Sequence, residues 1–410
     1  MIAATRRAST ESSICASQSA ATKTTQNFSR PLGNLNSMIR VLQVFHGMDC
    51  GGAENMIMNL YRHIDRSKVQ FDFLVHTTKK CFFDDEIKSL GGRIFSVPYY
   101  KIVNGLQYKR ALNNFFNEHP EISIVHGHLG SCAHIYLKTA KKFGCFSIAH
   151  SHNTSPQSIS LKNVLYRLFT YKTRRTADYF FGCSMAAAEY RFGKKIAHSE
   201  KCSILKNAID LQKFAYSEDA KSEIRKEYGL KDEFVIGHIG RFNPQKNHSF
   251  LIDVFKKLHD LKRDSVLILL GDGFLRHSIE AKVSELGLQD SVVFAGVRAD
   301  ANRFLSAFDV FLFPSLYEGL PVTLIEAQAN GLPIVCSDVI TKETDVTNTV
   351  AYYPLDQTVD FWAKHIISNQ FNRFSMIHKL KEDGYDIHDS SKYIELFYIN
   401  SSPLLNKKRQ

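Results

Sequence analysis

Short apolar runs and helix-like stretches alternate along this chain, break off once in a polar region, and then resume. The first set of runs is Ile39–Phe45, Val69–Val75, Arg93–Val97, Ile122–Val125, Cys145–Ala149, Tyr179–Cys183 and Cys202–Lys206, with helical patterns between most of them. Strands that alternate with helices indicate parallel-sheet units. From Phe214 to Asp232 the chain turns polar and charged, with a short helical candidate at Glu223–Tyr228. The pattern restarts at Phe234–Ile239, Val266–Leu270, Val292–Ala295, Val310–Phe313 and Ile334–Cys336. A single hydrophobic core seldom serves 410 residues. The expected architecture is two α/β domains of similar build, over residues 38–213 and 233–370, joined through 214–232 and followed by a helical segment and tail over 371–410.

Residues 1–37 belong to another composition class, rich in Ser, Thr, Ala, Gln and Asn and without apolar periodicity. They are expected to be a disordered extension, or to precede a true start at Met38, where Met38-Ile-Arg-Val-Leu-Gln-Val-Phe opens the first strand. No run approaches eighteen apolar residues, so no segment reads as a spanning helix. The eight cysteines are scattered singly and form no CxxC pair, which weighs against structural zinc and fits a reducing cytoplasm. A net charge of +11 permits nucleic acid, anionic lipid or a phosphorylated substrate as partner and does not choose among them. Locally, Leu161–Thr176 carries Lys162, Arg167, Lys172, Arg174 and Arg175, no acidic residue, and Leu161, Val164, Leu165, Leu168 and Phe169 at helical spacing. A helix lying on an anionic inner-membrane surface has this pattern, and so does an ordinary surface helix.

The richest stretch is Phe313-Pro-Ser-Leu-Tyr-Glu318-Gly-Leu-Pro321-Val-Thr-Leu-Ile-Glu326-Ala-Gln-Ala-Asn-Gly331-Leu-Pro333. A strand ends at Phe313, Pro321 sits where a first helical turn tolerates it, and Gly331 with Pro333 stops the helix. Glu318 is thus expected on the loop and Glu326 on the first turns of the helix, two carboxylates suited to accepting hydrogen bonds from hydroxyl-rich groups. Upstream, Gly240-Arg241-Phe-Asn-Pro-Gln-Lys246-Asn-His248 joins a strand to an amphipathic helix. Arg241 and Lys246 there can converge on an anion above the sheet edge, or form a solvated basic loop. Gly51-Gly52 after the first strand allows close backbone approach to a ligand, but the full GxGxxG spacing is missing, which disfavours a dinucleotide cofactor. Gly271-Asp-Gly273 is another strand-edge turn, and Asp309 is read as positioning a strand. His126 and His128 close one strand, and His150 and His152 the next. The HxH spacing alone does not define a metal site, and none is expected. His126 is read as packing or strand-end hydrogen bonding, while His128 and His150 are candidates to face a ligand or to organise the loops.

The ordered set of Gly51-Gly52, Gly240-Arg241…Lys246, Gly271-Asp-Gly273 and Glu318…Glu326 with Gly-Leu-Pro resembles the family 4 glycosyltransferases, across about 300 residues from Met38 to Ile340. More narrowly, Ala149-His-Ser-His-Asn153 and Ser337-Asp-Val-Ile-Thr-Lys-Glu343 resemble bacterial capsular and exopolysaccharide transferases. The resemblance implies a GT-B fold, with two facing Rossmann-like domains, a cleft between them, and last helices over 371–410 that cross back to brace the first domain. It also implies retention at the anomeric carbon, with front-face attack assisted by the leaving phosphate. The donor would be a nucleotide sugar, most simply a UDP-sugar, with no obligatory metal or other cofactor. The acceptor would be a glycan, lipid-linked at the inner membrane, and nucleic acid would not be a partner. On this resemblance Arg241 and Lys246 hold the diphosphate, Glu326 the ribose, and Glu318 the sugar or its developing charge. His128 lies near the transferred sugar. Gly51, Gly52, His150, Gly271 and Gly273 line the donor site, and Val297 and Arg298 receive the base through main-chain groups. A GT-B nucleotide-sugar epimerase and a noncatalytic basic protein binding membrane or nucleic acid are the alternatives.

Overall fold

The computed structural model describes residues 38–152, 171–368 and 372–402. The extension at 1–37 and most of the basic run from Leu161 lie outside the described residues. The first sheet has seven strands, β1 (Ile39–Val44), β2 (Val69–Val75), β3 (Ile94–Ser96), β4 (Ile122–Gly127), β5 (Phe146–Ser151), β6 (Tyr179–Gly182) and β7 (Cys202–Ile204), in the order β3-β2-β1-β4-β5-β6-β7. The second has six, β8 (Phe234–Ile239), β9 (Ser265–Leu270), β10 (Val292–Gly296), β11 (Val310–Phe313), β12 (Ile334–Ser337) and β13 (Val350–Tyr353), in the order β10-β9-β8-β11-β12-β13. All neighbouring strands are parallel. This is the doubly wound pair of domains that the alternation requires.

Helices cover both faces of each sheet, which is why its central strands read as continuous apolar runs. Every residue of β2 and of β9 is buried. Side chains still alternate in direction along a strand. Ile39 and Val41 of β1 enter one core cluster, Leu42 and Val44 the opposite one. In the second sheet Leu267 and Leu269 pack on one face, and Val266, Ile268 and Leu270 on the other.

Sequence reasoning missed β13. It is a partly buried edge strand of only four residues, Val350-Ala-Tyr-Tyr, a run shorter than the central strands. The tail also holds more order than its mixed pattern suggests, including the helix Ile387–Ser401. Ile387, Ile394, Phe397 and Tyr398 of that helix join the core of the first sheet, beside Ile39, Val41 and Met58. Two backbone hydrogen bonds fasten the return crossing: Ile209 N–H donates to the Tyr385 carbonyl at 2.9 Å, and Ile387 N–H to the Ile209 carbonyl at 3.0 Å.

In each sheet the strand order reverses between two neighbours, β1 and β4 in the first and β8 and β11 in the second. Loops leaving the carboxyl ends of strands diverge at such a point and open a crevice.

Candidate active site

The two crevices meet in one cavity of about 460 Å³. From the first domain it is lined by Phe45, His46, Gly52 and Glu54 after β1, His128 and Leu129 after β4, His152 after β5, and Asn207 after β7. From the second it is lined by Gln245 after β8 and by Glu318, Gly319 and Leu320 after β11.

The β8 loop takes its shape from local chemistry. The Asn243 side chain caps a 3₁₀ turn over Pro244–Lys246, and Asn247 in the left-handed region (φ 56°) hands the chain to the helix His248–Leu261. The loop is then tied to the β11 loop. Leu316 N–H donates to the Gln245 carbonyl at 2.8 Å, Gln245 Nε2 to the Tyr317 carbonyl at 3.0 Å, and Asn247 Nδ2 to the Pro314 carbonyl at 3.2 Å. On this platform Lys246 Nζ pairs with Glu318 Oε1 at 2.6 Å, and Gln245 Nε2 donates to Glu318 Oε2 at 3.0 Å. Both charged side chains are largely shielded, at 16% and 9% exposure. Arg241 is exposed and has no partner among the described residues. The loop therefore offers one free cation and one already neutralised by a carboxylate, where sequence reasoning expected two free cations.

Glu326 lies on the helix Val322–Ala329, whose cap is Pro321 and whose end is marked by Gly331 at φ +69°. Its carboxylate has no hydrogen bond among the described residues. Burial pushes its pKa up to about 7, against a smaller opposing pull from the Lys213 cation. A partnered carboxylate on the loop and an unpartnered one on the helix are chemically distinct acceptors.

Gly271 brings the β8 and β9 loops together. Its φ is +129°, and a Cβ there would stand 2.1 Å from the Gly240 carbonyl oxygen. Gly271→Ala should push the Gly240-Arg241 turn out of place, with a stability loss of about 1–3 kcal/mol by overpacking. Thermal melting should show the loss and calorimetry with free nucleotide a weakened affinity. Unchanged values would show that the turn tolerates a side chain. Gly52 presents the opposite case, since a Cβ there would meet nothing within 4 Å and the space belongs to the cavity. Arg298 spends its guanidinium on Asp300 (2.8 Å) and Glu227 (3.1 Å), which leaves its main chain for a ligand, beside an exposed Val297. Asp309 accepts from Val235 N–H at 2.7 Å and pairs with Arg225 at 2.8 Å, fixing where β8 and β11 start.

The histidines form a stack. Ring centroids of His126 and His150 lie 5.2 Å apart with an 11° interplanar angle, and those of His150 and His152 lie 4.1 Å apart at 28°. One ring nitrogen each of His126, His128 and His150 lies within 4.8 Å of the others. The His126 and His150 rings are nearly parallel, and the His128 ring is tilted 40° to that of His150. A directed chain of hydrogen bonds engages part of the stack, while both ring nitrogens of His150, Nε2 of His126 and Nδ1 of His152 have no partner among the described residues. His152 Nε2 meets His128 Nδ1 at 2.7 Å, and His128 Nε2 meets Gln43 Oε1 at 2.9 Å. Gln43 Nε2 donates to Tyr398 Oη at 3.3 Å, and Tyr398 Oη meets His126 Nδ1 at 2.6 Å. Burial, with lesser repulsion from neighbouring rings, holds His126, His128 and His150 well below the usual histidine range. His152 falls to about 3, through burial and then the Arg191 cation.

Two expectations change here. His150 is completely buried and does not line the cavity; His152 takes that place. His128 does line it, but both its ring nitrogens are engaged, so it positions His152 through its Nδ1. His126 plays the strand-end role read from sequence. Sequence reasoning also missed Gln43, Gln245, Tyr398 and Arg191. Arg191 is 6% exposed, its Nη1 donates to the His150 carbonyl, and its Nε and Nη2 have no partner among the described residues. Of these only Gln245 had a usable signal, its place between Arg241 and Lys246.

The signature of "Glycosyltransferase Family 4" matches residues 50–213, and that of "Glycosyl transferases group 1" matches residues 220–357. EpsF of Bacillus subtilis (strain 168), which carries the name of a glycosyltransferase, is 39% identical over 336 residues, covering 81% of this chain and 88% of that protein. The chain belongs to the family 4 glycosyltransferases. A shorter match, 36% identical over 143 residues, covers 34% of this chain and 37% of the UDP-Gal:alpha-D-GlcNAc-diphosphoundecaprenol alpha-1,3-galactosyltransferase of Escherichia coli. Among solved structures, HepE of Anabaena in complex with UDP superposes with a TM-score of 0.67 at 17% identity, covering 91% of this chain and all of that one, a likeness of fold. This family 4 glycosyltransferase has the GT-B architecture, and its cavity lies between the two domains as that architecture requires.

Proposed function

We propose that the chain transfers a hexose or N-acetylhexosamine, with retention, from a UDP-sugar to a lipid-linked glycan acceptor in bacterial surface-polysaccharide assembly. The observation that carries the reading is the pair of unlike carboxylates at the second switch point. Glu326 is unpartnered and suited to the ribose hydroxyls, while Glu318 is held by Lys246 and Gln245 in the cavity wall. In the empty site Glu318 acts as counter-ion to Lys246. An incoming diphosphate would take over that ammonium together with Arg241 and free Glu318 for the sugar. As the glycosidic bond breaks, charge grows on the diphosphate oxygens, where two preorganised cations are most effective. Gly52, Glu54, His152 and Asn207 face the sugar from the acceptor side.

The UDP donor is supported by the Escherichia coli relative, named for UDP-Gal, and by HepE, solved with UDP and with UDP-glucose. The same relative acts on a diphosphoundecaprenol acceptor, which supports a lipid-linked substrate met at a membrane surface. No helix among the described residues is long and apolar enough to cross a membrane. Of the basic run expected to touch lipid, residues 161–170 lie outside the described residues. In the remainder Thr173 is buried and Arg174 Nε donates to the Arg191 carbonyl at 3.2 Å, so Arg174 does not face outward freely.

Glu326→Ala should mainly weaken nucleotide binding and Glu318→Ala mainly slow transfer. Calorimetry with UDP beside steady-state kinetics with the intact donor separates the two. Unchanged UDP affinity in the Glu326 variant would refute the ribose role. An epimerase would interconvert the nucleotide sugar without an acceptor, an outcome that incubation of the wild type with the intact donor alone would reveal.

A further inference from the structure

We infer that the surface formed by Tyr99, Ile102, Val103 and Leu106, with Lys101, Lys109 and Arg110 around it, docks the enzyme on an anionic lipid bilayer. This rests on the lipid-linked acceptor reading above, to which it adds a place on the molecule distinct from the basic run at Leu161–Thr176.

The position follows from topology. β3 is the outer strand of the first sheet and runs parallel to β2, so the chain leaving it emerges at the carboxyl edge, the edge that carries the cavity-lining loops of β1 and β4. That chain makes a 3₁₀ turn over Ile102–Asn104 and then the helix Gly105–Glu118. Tyr99 stands edge-on to His46, ring centroids 5.2 Å apart, and His46 lines the cavity. The surface is thus continuous with the acceptor side of the cleft.

Its chemistry is unusual for a solvated flank. Exposure is 51% at Tyr99, 74% at Ile102, 93% at Val103 and 75% at Leu106. The helix satisfies its own inward stripe through Tyr108, Leu112, Phe115 and Phe116, so the exposed residues are additional to the core. Contiguous exposed apolar side chains of this kind mark contact surfaces. No acidic residue occurs from Ile87 to Asn117. Lys101, Lys109 and Arg110 are exposed and form no ion pair among the described residues. Arg93 is excluded from the patch, since Asp72 and Glu121 hold its charge at 2.6 and 2.7 Å. Phe82, also exposed, is set apart because Asp84, Asp85 and Glu86 follow it. Protruding aliphatic groups beside unpaired cations complement the acyl boundary and the phosphates of an anionic leaflet, which reward both.

Flotation of the full chain with vesicles of phosphatidylcholine plus phosphatidylglycerol, against phosphatidylcholine alone, is the test. The wild type should float with the anionic vesicles, less so at high salt. Ile102→Ser/Val103→Ser/Leu106→Ser should lose about tenfold in partition, and Lys101→Gln/Lys109→Gln/Arg110→Gln should lose its salt sensitivity and roughly as much binding. Both variants should keep the melting temperature and the turnover of a short, water-soluble acceptor, since every altered residue is exposed. Wild type that stays with the unfloated protein, or a serine variant that floats like wild type, would overturn the inference. So would a serine variant that turns a dimer into a monomer without lipid, because the patch would then join two copies of this chain. Failure to transfer any nucleotide sugar would remove the proposed function while leaving flotation to report on the surface.

Discussion

Lys246→Met is expected to lower kcat/KM by about 30- to 1000-fold, the 2–4 kcal/mol that removal of one preorganised charge-stabilising donor typically costs. Arg241→Ala should lose a similar amount, yet the two variants should differ before any substrate is added. Arg241 is exposed and unpartnered, so its loss should leave stability within about 0.5 kcal/mol of wild type. Lys246 neutralises Glu318, whose side chain is only 9% exposed. Removing the ammonium leaves a shielded carboxylate with Gln245 as its remaining partner, and the empty enzyme should lose about 2 kcal/mol, less than a fully buried pair would. Lys246→Met/Glu318→Gln should recover most of that stability and none of the turnover. Melting curves and steady-state kinetics on the four proteins measure both quantities. Turnover within twofold of wild type in both single variants would remove Arg241 and Lys246 from the reaction.

The difference between those two cations also shows where sequence reading stops. Helix limits set by local chemistry were legible: Pro321 caps and Gly331 ends the helix that carries Glu326, through a φ range that only glycine adopts easily. The central strands were legible because burial on both faces leaves a continuous apolar run. The Lys246–Glu318 pair spans 72 residues and the Gln43–Tyr398 contact 355, and no local pattern encodes either. The helix Ile387–Ser401 packs on the first sheet as the family resemblance implies, although no local pattern in its own sequence encodes that. His150 and His152 sit two apart on one strand and its exit, so alternation puts both on one side. Which of them reaches the cavity depends on where the strand ends, at Ser151.

The Glu326 carboxyl should make both folding and donor binding depend on pH. Burial holds its pKa at about 7, well above that of a glutamate in an unfolded chain. Below roughly pH 4 the carboxyl is protonated in both states and contributes no penalty. As pH rises toward 7 the unfolded chain ionises while the fold retains its proton, so this residue lowers stability progressively. Above about pH 7 the full penalty is present, roughly 3 kcal/mol at 1.4 kcal/mol per tenfold in proton affinity. Glu326→Gln should therefore be the more stable protein at pH 8, by up to about 3 kcal/mol, and equal to wild type near pH 4. Urea unfolding of the two proteins across that range reads the difference. The substitution should at the same time weaken UDP binding, because a carboxylate that accepts two ribose hydroxyls is replaced by an amide with one acceptor oxygen. Ribose donors favour the ionised form, so UDP binding to wild type should release a proton near pH 6.5, and affinity should rise with pH until about 7. Calorimetry in buffers of different ionisation enthalpy detects that proton. A wild type and Gln variant with parallel stability profiles, together with binding that releases no proton, would show that the Glu326 carboxyl is already ionised in the empty enzyme, and the UDP affinity of the Gln variant alone would then decide the ribose role.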